Sequence, residues 1–126
     1  MDANTIVKER MYANDAFSQW LGIEVDRTAP GSCVLKMKIR PEMTNGFGIA
    51  HGGICYSLAD SALAFASNGH GQHAVSIETC ISHVKAVRPG DELRAEAQEV
   101  AASRKTGQYE VKIYNQKEEL VAWFKG

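Results

Sequence analysis

Cysteine is scarce in this sequence, and what there is does not pair. Cys33, Cys55 and Cys80 are odd in number, widely spaced and free of any C-x-x-C step, which excludes a disulfide framework and leads us to expect reduced thiols in a cytoplasmic protein. Proline is equally sparse, at three residues, and there is no Ser/Pro-rich linker, low-complexity tract or internal repeat. Residues 1–126 are therefore expected to form a single domain, with 1–21 as an N-terminal helical segment. Charge of one sign is also missing. Lys and Arg total 14 against 15 Asp and Glu, a formal net charge of −1, so nothing in the whole molecule attracts nucleic acid or an anionic membrane. An anionic ligand would have to meet a local basic patch. No apolar run reaches the roughly 18 residues of a membrane span, and charges occupy the first ten residues where a signal peptide needs an apolar core.

The hydrophobic fraction of 44% and charged fraction of 23% are ordinary for a globular chain, and the length suffices to bury a core without metals or disulfides. Residues from about Asn4 to Leu21 read as one helix with Ile6, Met11, Phe17 and Trp20 along a face, ended by Gly22. The period then changes to two. Ile23 and Val25 alternate with Glu24 and Asp26, and beyond Pro30-Gly31 the apolar Leu35, Met37 and Ile39 alternate with Lys36 and Lys38, which predicts a hairpin. Residues 41–50 are loop, and Gly52 to about Asn68 is helical, stopped by Gly69 and Gly71. Alternation returns at Val75-Ile77-Thr79-Ile81, Leu93-Ala95-Ala97, Tyr109-Val111-Ile113 and Leu120-Ala122-Phe124, with turns between, which predicts an antiparallel meander. Residues 54–66 are apolar almost all round. The expected architecture is α+β: five or six antiparallel strands curved around a central helix.

The chemistry is concentrated between Asn45 and Leu63, where a loop with an Asn and a His leads into an apolar helix whose only charge is Asp60. Gly52 and Gly53 open that helix. Their N–H groups lack intrahelical acceptors and lie at the positive end of the helix dipole, where they suit a developing oxyanion, although two glycines also make a plain tight start to a helix. An ionised carboxylate among Ile54, Leu58, Leu63 and Phe65 costs several kcal/mol unless partnered, and partial desolvation raises its pKa toward that of a useful base or nucleophile. Nine residues separate His51 from Asp60, about 2.5 turns, which places them on opposite faces roughly 13 Å apart along the axis. One chain cannot bring both to one reacting atom. If both act, two chains must pair so that the glycine donors of one face Asp60 of the other, in a symmetric dimer with two composite sites.

The run from Met43 through Asn45, His51-Gly-Gly and Asp60 to Asn68 resembles the signature of the hotdog-fold acyl-CoA thioesterases of the phenylacetate-degradation (PaaI) type, as do Trp20-Leu-Gly-Ile-Glu-Val, Arg88-Pro-Gly-Asp-Glu-Leu and Thr106-Gly-Gln-Tyr-Glu-Val. The likeness spans residues 10–126. It implies hydrolysis of an acyl-CoA, with an aryl or medium-chain acyl group, to the free acid and CoA, without metal or other cofactor, by a homodimer assembling to a homotetramer. By the same resemblance Asp60 is nucleophile or general base, Gly52 or Gly53 of the partner chain polarises the carbonyl, Asn45 and His51 orient it, and Ser76 helps hold water. Two departures stand out: Ala64 lies where some relatives carry a hydroxyl, and Phe47 replaces a usual His and is expected to line the acyl pocket. Lys85, Arg88, Arg104 and Lys105 are the candidate contacts to CoA phosphates.

Other constellations carry less. His70-x-x-His73 and Cys80-x-x-His83 have ligand-like spacing, but strand alternation puts Cys80 and His83 on different faces, so no metal is expected. Cys55 reads as a buried, inert thiol, and Ser57 and Ser61 lack a Gly-x-Ser-x-Gly elbow. No phosphate loop or dinucleotide fingerprint is present. Two alternatives to the thioesterase are a non-catalytic acyl-CoA-binding module of the same fold and a hotdog acyl-thioester dehydratase.

Overall fold

The computed structural model describes residues Met1–Gly126. Its frame is one antiparallel sheet of six strands, β1 (Glu24–Ala29), β2 (Ser32–Lys38), β3 (Cys80–His83), β4 (Glu92–Ala102), β5 (Gly107–Tyr114) and β6 (Leu120–Lys125), in the spatial order β1-β2-β4-β5-β6-β3. The helix α3 (Gly52–Asn68) lies in the curve of this sheet, which is the hotdog fold. Period-two patterning decides which face each strand offers: Leu35, Met37, Leu93, Ala95, Val111, Ile113, Ala122 and Phe124 are buried toward the helix, and the intervening Lys36, Glu92, Lys112 and Trp123 are exposed. Cys55, Leu58, Ala59, Ala62, Leu63, Phe65 and Ala66 of α3 complete the core. Each large side chain there, such as Leu58 or Phe65, contributes on the order of 1.5–3 kcal/mol by leaving water.

Three expectations need correction. The first helix is not continuous. A turn α1 (Ala3–Thr5), a π-helical stretch Ile6–Met11 and a 3₁₀ turn Tyr12–Asn14 precede a separate helix α2 (Ala16–Leu21), because Asp15 leaves the helical region and caps α2 by accepting from the Ser18 N–H at 2.9 Å. The buried residues are Ala3, Val7, Ser18 and Leu21, with Met11 and Tyr12 partly buried against the core, while Phe17 and Trp20 stack on each other in solvent. Second, the alternation at residues 75–81 is mostly not strand. β3 starts only at Cys80, and Val75 and Ile77 are 78% and 87% exposed.

Third, the sheet is not a simple meander. After α3 the chain crosses to the far edge, so β3 pairs with β6 (Cys80↔Lys125, His83↔Ala122) and β2 pairs with β4. Residues 72–79 make that crossing along α3, held at both ends. Asn68 is buried, donates to the carbonyls of Ala64 and Ala74 at 2.9 and 3.0 Å, and accepts from the Ala74 N–H at 2.9 Å. The Tyr56 hydroxyl meets Thr79 Oγ1 at 2.7 Å. The sheet therefore does not enclose α3 on every side. The stripe Gly53, Ser57 and Asp60 stays open.

Candidate active site

The loop before α3 is tied on every side. Asn45 Oδ1 accepts from the Phe47 N–H at 2.9 Å, the Asn45 N–H donates to Ile49 O at 2.8 Å, and Gly48 adopts φ +76°, a left-handed turn position that suits glycine. The Ala50 N–H reaches Val87 O at 2.7 Å and the His51 N–H reaches Met43 O at 2.9 Å. His51 is thereby fixed as N-cap of α3, with φ −59° and ψ 139°, and its Nδ1 accepts from the Gly53 N–H at 2.8 Å. An accepting Nδ1 means that the neutral ring carries its proton on Nε2.

The two glycine donors are thus unequal. The Gly53 N–H is occupied by His51, whereas the N–H of Gly52, the first helical residue, has no acceptor in the protein. A side chain at Gly53 would also press on the cap, since a β-carbon there would lie 3.1 Å from His51 Nδ1.

Asp60 sits on the open stripe of α3. With Gly53, Tyr56, Ser57, Ser76 and Thr79 it lines a groove of about 410 Å³. The helix supplies Gly53, Tyr56, Ser57 and Asp60 at i, i+3, i+4 and i+7, one face, and the 72–79 segment supplies the opposing wall. Ser57 Oγ donates to the Gly53 carbonyl at 2.7 Å, while Asp60 makes no hydrogen bond or ion pair. Partial burial without a partner pushes its carboxyl above the ordinary carboxylate range.

The groove therefore brings Gly53, Asp60 and Ser76 together, and leaves Gly52, His51 and Asn45 at the start of the helix, eight or more residues and about 12 Å from Asp60. Phe47 is 89% exposed on the loop tip and does not line the Asp60 groove. Lys85 forms an ion pair with Glu119, and Arg88 stands beside the loop that Val87 holds to the helix start. Arg104 and Lys105 cap the β4–β5 turn, beyond the region where Glu99 meets His70 past the other end of α3. The four cations form two separate pairs.

Tyr56, Ser57, Asn68 and Thr79 were missed as site residues. The legible signal for the first two was position, four and three residues before Asp60; Thr79 and Asn68 act through a crossing that no local pattern specifies. No group of three or more His, Cys, Asp or Glu side chains is placed to hold a metal ion. His70 is instead engaged with Glu99 at 2.7 Å. Burial raises the Cys55 thiol to about 11 and the Cys33 thiol to about 12, so neither is a nucleophile near neutral pH. No helix is long and apolar enough to cross a membrane.

The helix-in-sheet frame and its glycine-led helix define a class, the hotdog-fold thioester hydrolases. The sequence pattern of the thioesterase superfamily matches residues 47–122. The chain belongs to the thioesterase superfamily. It is similar to acyl-coenzyme A thioesterase PaaI of Escherichia coli, 39% identical over 92% of this chain and 83% of that protein. The solved structure of E. coli PaaI superposes with a TM-score of 0.95, at 36% identity over 98% of this chain and 90% of that one. A hypothetical thioesterase of Streptococcus pneumoniae, solved with coenzyme A, superposes with a TM-score of 0.79 at 26% identity, over 82% of this chain and 83% of that one. That protein has also been solved with an aspartate and, separately, a threonine replaced by alanine, positions sixteen residues apart.

Proposed function

We propose that this protein hydrolyses acyl-CoA thioesters of aryl or medium-chain acids, at composite sites shared between two subunits. The observation that carries this reading is the pairing of two unfinished halves on one helix: a free Gly52 N–H at the positive end of α3 and an unpartnered Asp60 about 12 Å along it. Neither half can finish the other within a chain. In a twofold dimer the Gly52 N–H of one subunit meets the thioester carbonyl above Asp60 of its partner. The short edge strand β3 and the exposed Val75 and Ile77 beside the groove give such a partner an unsatisfied edge and apolar surface to cover. Two such dimers make the homotetramer that the resemblance in sequence implies.

In this mechanism Asp60 acts as general base. Partial burial makes it more basic than a solvated aspartate, and it takes a proton from water held by the Ser76 hydroxyl. Asp60 and Ser76 are sixteen residues apart, the separation of the two substituted positions in the streptococcal protein. The water oxygen bonds to the carbonyl carbon, and negative charge develops on the carbonyl oxygen at the Gly52 N–H. Collapse breaks the C–S bond, and the proton taken by Asp60 passes to the departing CoA sulfur. Asn45, through the side-chain N–H₂ its turn leaves unused, and His51, through Nε2–H, orient the carbonyl; Phe47 of the loop tip covers the partner's acyl group. Arg88 is the phosphate contact nearest the donor end, with Lys85 beside it and Arg104 and Lys105 at the far end of the helix.

The test is thiol release from acetyl-, hexanoyl-, phenylacetyl- and benzoyl-CoA. Stoichiometric free CoA and acid, fastest with the larger acyl groups, is expected. Tight CoA-ester binding with no thiol released from any of them refutes hydrolysis and leaves a binding module, and an enoyl product from 3-hydroxyhexanoyl-CoA, assayed separately, indicates the dehydratase.

A further inference from the structure

His83 ends β3, opposite Ala122 of β6, and its ring turns onto the start of α3. A β-carbon on Gly52 would lie 3.2 Å from His83 Nε2 and 3.4 Å from Cε1, so the imidazole fills the space that any side chain at position 52 would need. In a helix the Cα–Cβ direction tilts toward the N-terminus, the end to which the first N–H groups also point. A ring filling the β-position of Gly52 therefore stands beside the path of the free Gly52 N–H. Its own nitrogens make no hydrogen bond within the chain, in contrast to His51, whose Nδ1 is spent on Gly53, and His70, which is bound to Glu99. Lys85, two residues on, is held by Glu119. Of the histidines near the start of α3, His83 is the one that lies against the β-position of Gly52 with neither ring nitrogen bonded within the chain.

We propose that His83 is a catalytic residue of the donor half-site, whose imidazole N–H gives the thioester oxygen a second hydrogen bond beside that of Gly52. This rests on the reading of Gly52 as oxyanion donor. Asn45 and His51 orient the ground-state carbonyl, and a second donor beside the Gly52 N–H stabilises the charge that develops on its oxygen in the tetrahedral intermediate. The ring also explains why position 52 must be glycine for a reason besides close approach of the substrate: a methyl group there would push the imidazole away.

The experiment compares His83→Phe, which keeps a ring against Gly52 but removes the N–H, with His83→Gln, which restores an N–H donor, on the fastest ester of the four-member CoA panel. The expected result is a fall of about tenfold to a hundredfold in kcat for His83→Phe with KM changed less than about twofold, and partial recovery in His83→Gln. Wild-type kcat in His83→Phe, or an equal fall in both, overturns the proposal. Circular dichroism and Tm confirm folding, and if the phenylalanine variant is not folded, His83→Leu against His83→Asn makes the same comparison. Gly52→Pro and Asp60→Asn are run alongside. Loss in those two without loss in His83→Phe removes only His83 from the site; retained turnover in both removes the underlying reading of the site.

Discussion

In the proposed reaction the working group at the start of α3 is a backbone N–H; about two turns further on, at Asp60, it is a side chain. The donor end is over-determined: Asn45, Ile49, Met43, Val87 and His51 all contribute hydrogen bonds to its loop and cap, so the Gly52 N–H is aimed before any ligand arrives. The acid turn is the reverse. Asp60 has no hydrogen-bond partner, and its neighbours Ser57 and Tyr56 bond elsewhere. The contrast teaches that one half is preorganised by its own chain, while the other is left open, as the proposed composite site requires. The donor N–H itself is removed only by proline, although any side chain at position 52 would meet the His83 ring, whereas the acid is lost with a single oxygen.

The largest effect expected is at the acid: Asp60→Ala lowers kcat for thiol release by about 10²- to 10⁴-fold with the fold intact, the range for removing a general base, and a fall below tenfold would sink the assignment. Next comes the donor. Gly52→Pro removes the free N–H at the first helical position, where proline suits the backbone and the preceding ψ of 139°, and its ring also displaces the His83 imidazole; kcat is expected to drop about 10²- to 10³-fold without loss of helix. Mixing the Asp60→Ala and Gly52→Pro chains then sharpens the comparison. Random pairing restores one complete site in heterodimers, about a quarter of wild-type activity, and no recovery in proven heterodimers contradicts the shared site.

A smaller change follows His51→Ala, which removes the cap: chemical denaturation should show a loss of about 1 kcal/mol. The smallest effect is on stability at Asp60 itself. Because burial raises its pKa in the folded state, the ionised form costs stability above that pKa and nothing below the unfolded value. Asp60→Asn is therefore expected to raise Tm slightly near neutral pH, with the gain vanishing in acid where Asp60 is protonated; the kcat/KM of the wild type falls on the same acid limb.

Much of the frame was legible because local chemistry decided it. The run Gly52–Asn68 is apolar and bounded by glycines, and the helix occupies those residues; Pro30-Gly31 marked the first hairpin, and Leu93, Ala95, Ala97, Tyr109, Val111 and Ile113 face the core as their alternation implies. The break before α2 had a signal that the apolar count overrode: Asp15 with Ser18 three residues on is a helix start. Val75 and Ile77 misled for a deeper reason. Alternation reports which side chains want cover, and does not say whether the cover comes from the same chain. The acid, the glycines and the His were visible in sequence as chemistry, but which glycine N–H is free depends on where His51 Nδ1 points, and the wall of Ser76 and Thr79 depends on Asn68 and Tyr56 catching a segment across space.

The far-edge position of β3 also sets an order of events. Its only neighbour in the sheet is β6, the last strand in chain order, so Cys80–His83 can gain no in-sheet hydrogen bonds until Leu120–Lys125 has been made and has folded onto β5. The hairpins β1–β2 and β4–β5 close over short loops and can form early, whereas the β3–β6 pairing must close a loop of about forty residues. During synthesis the ring of His83 is thus among the last groups to take its place, once β6 has closed Ala122 and Phe124 onto α3.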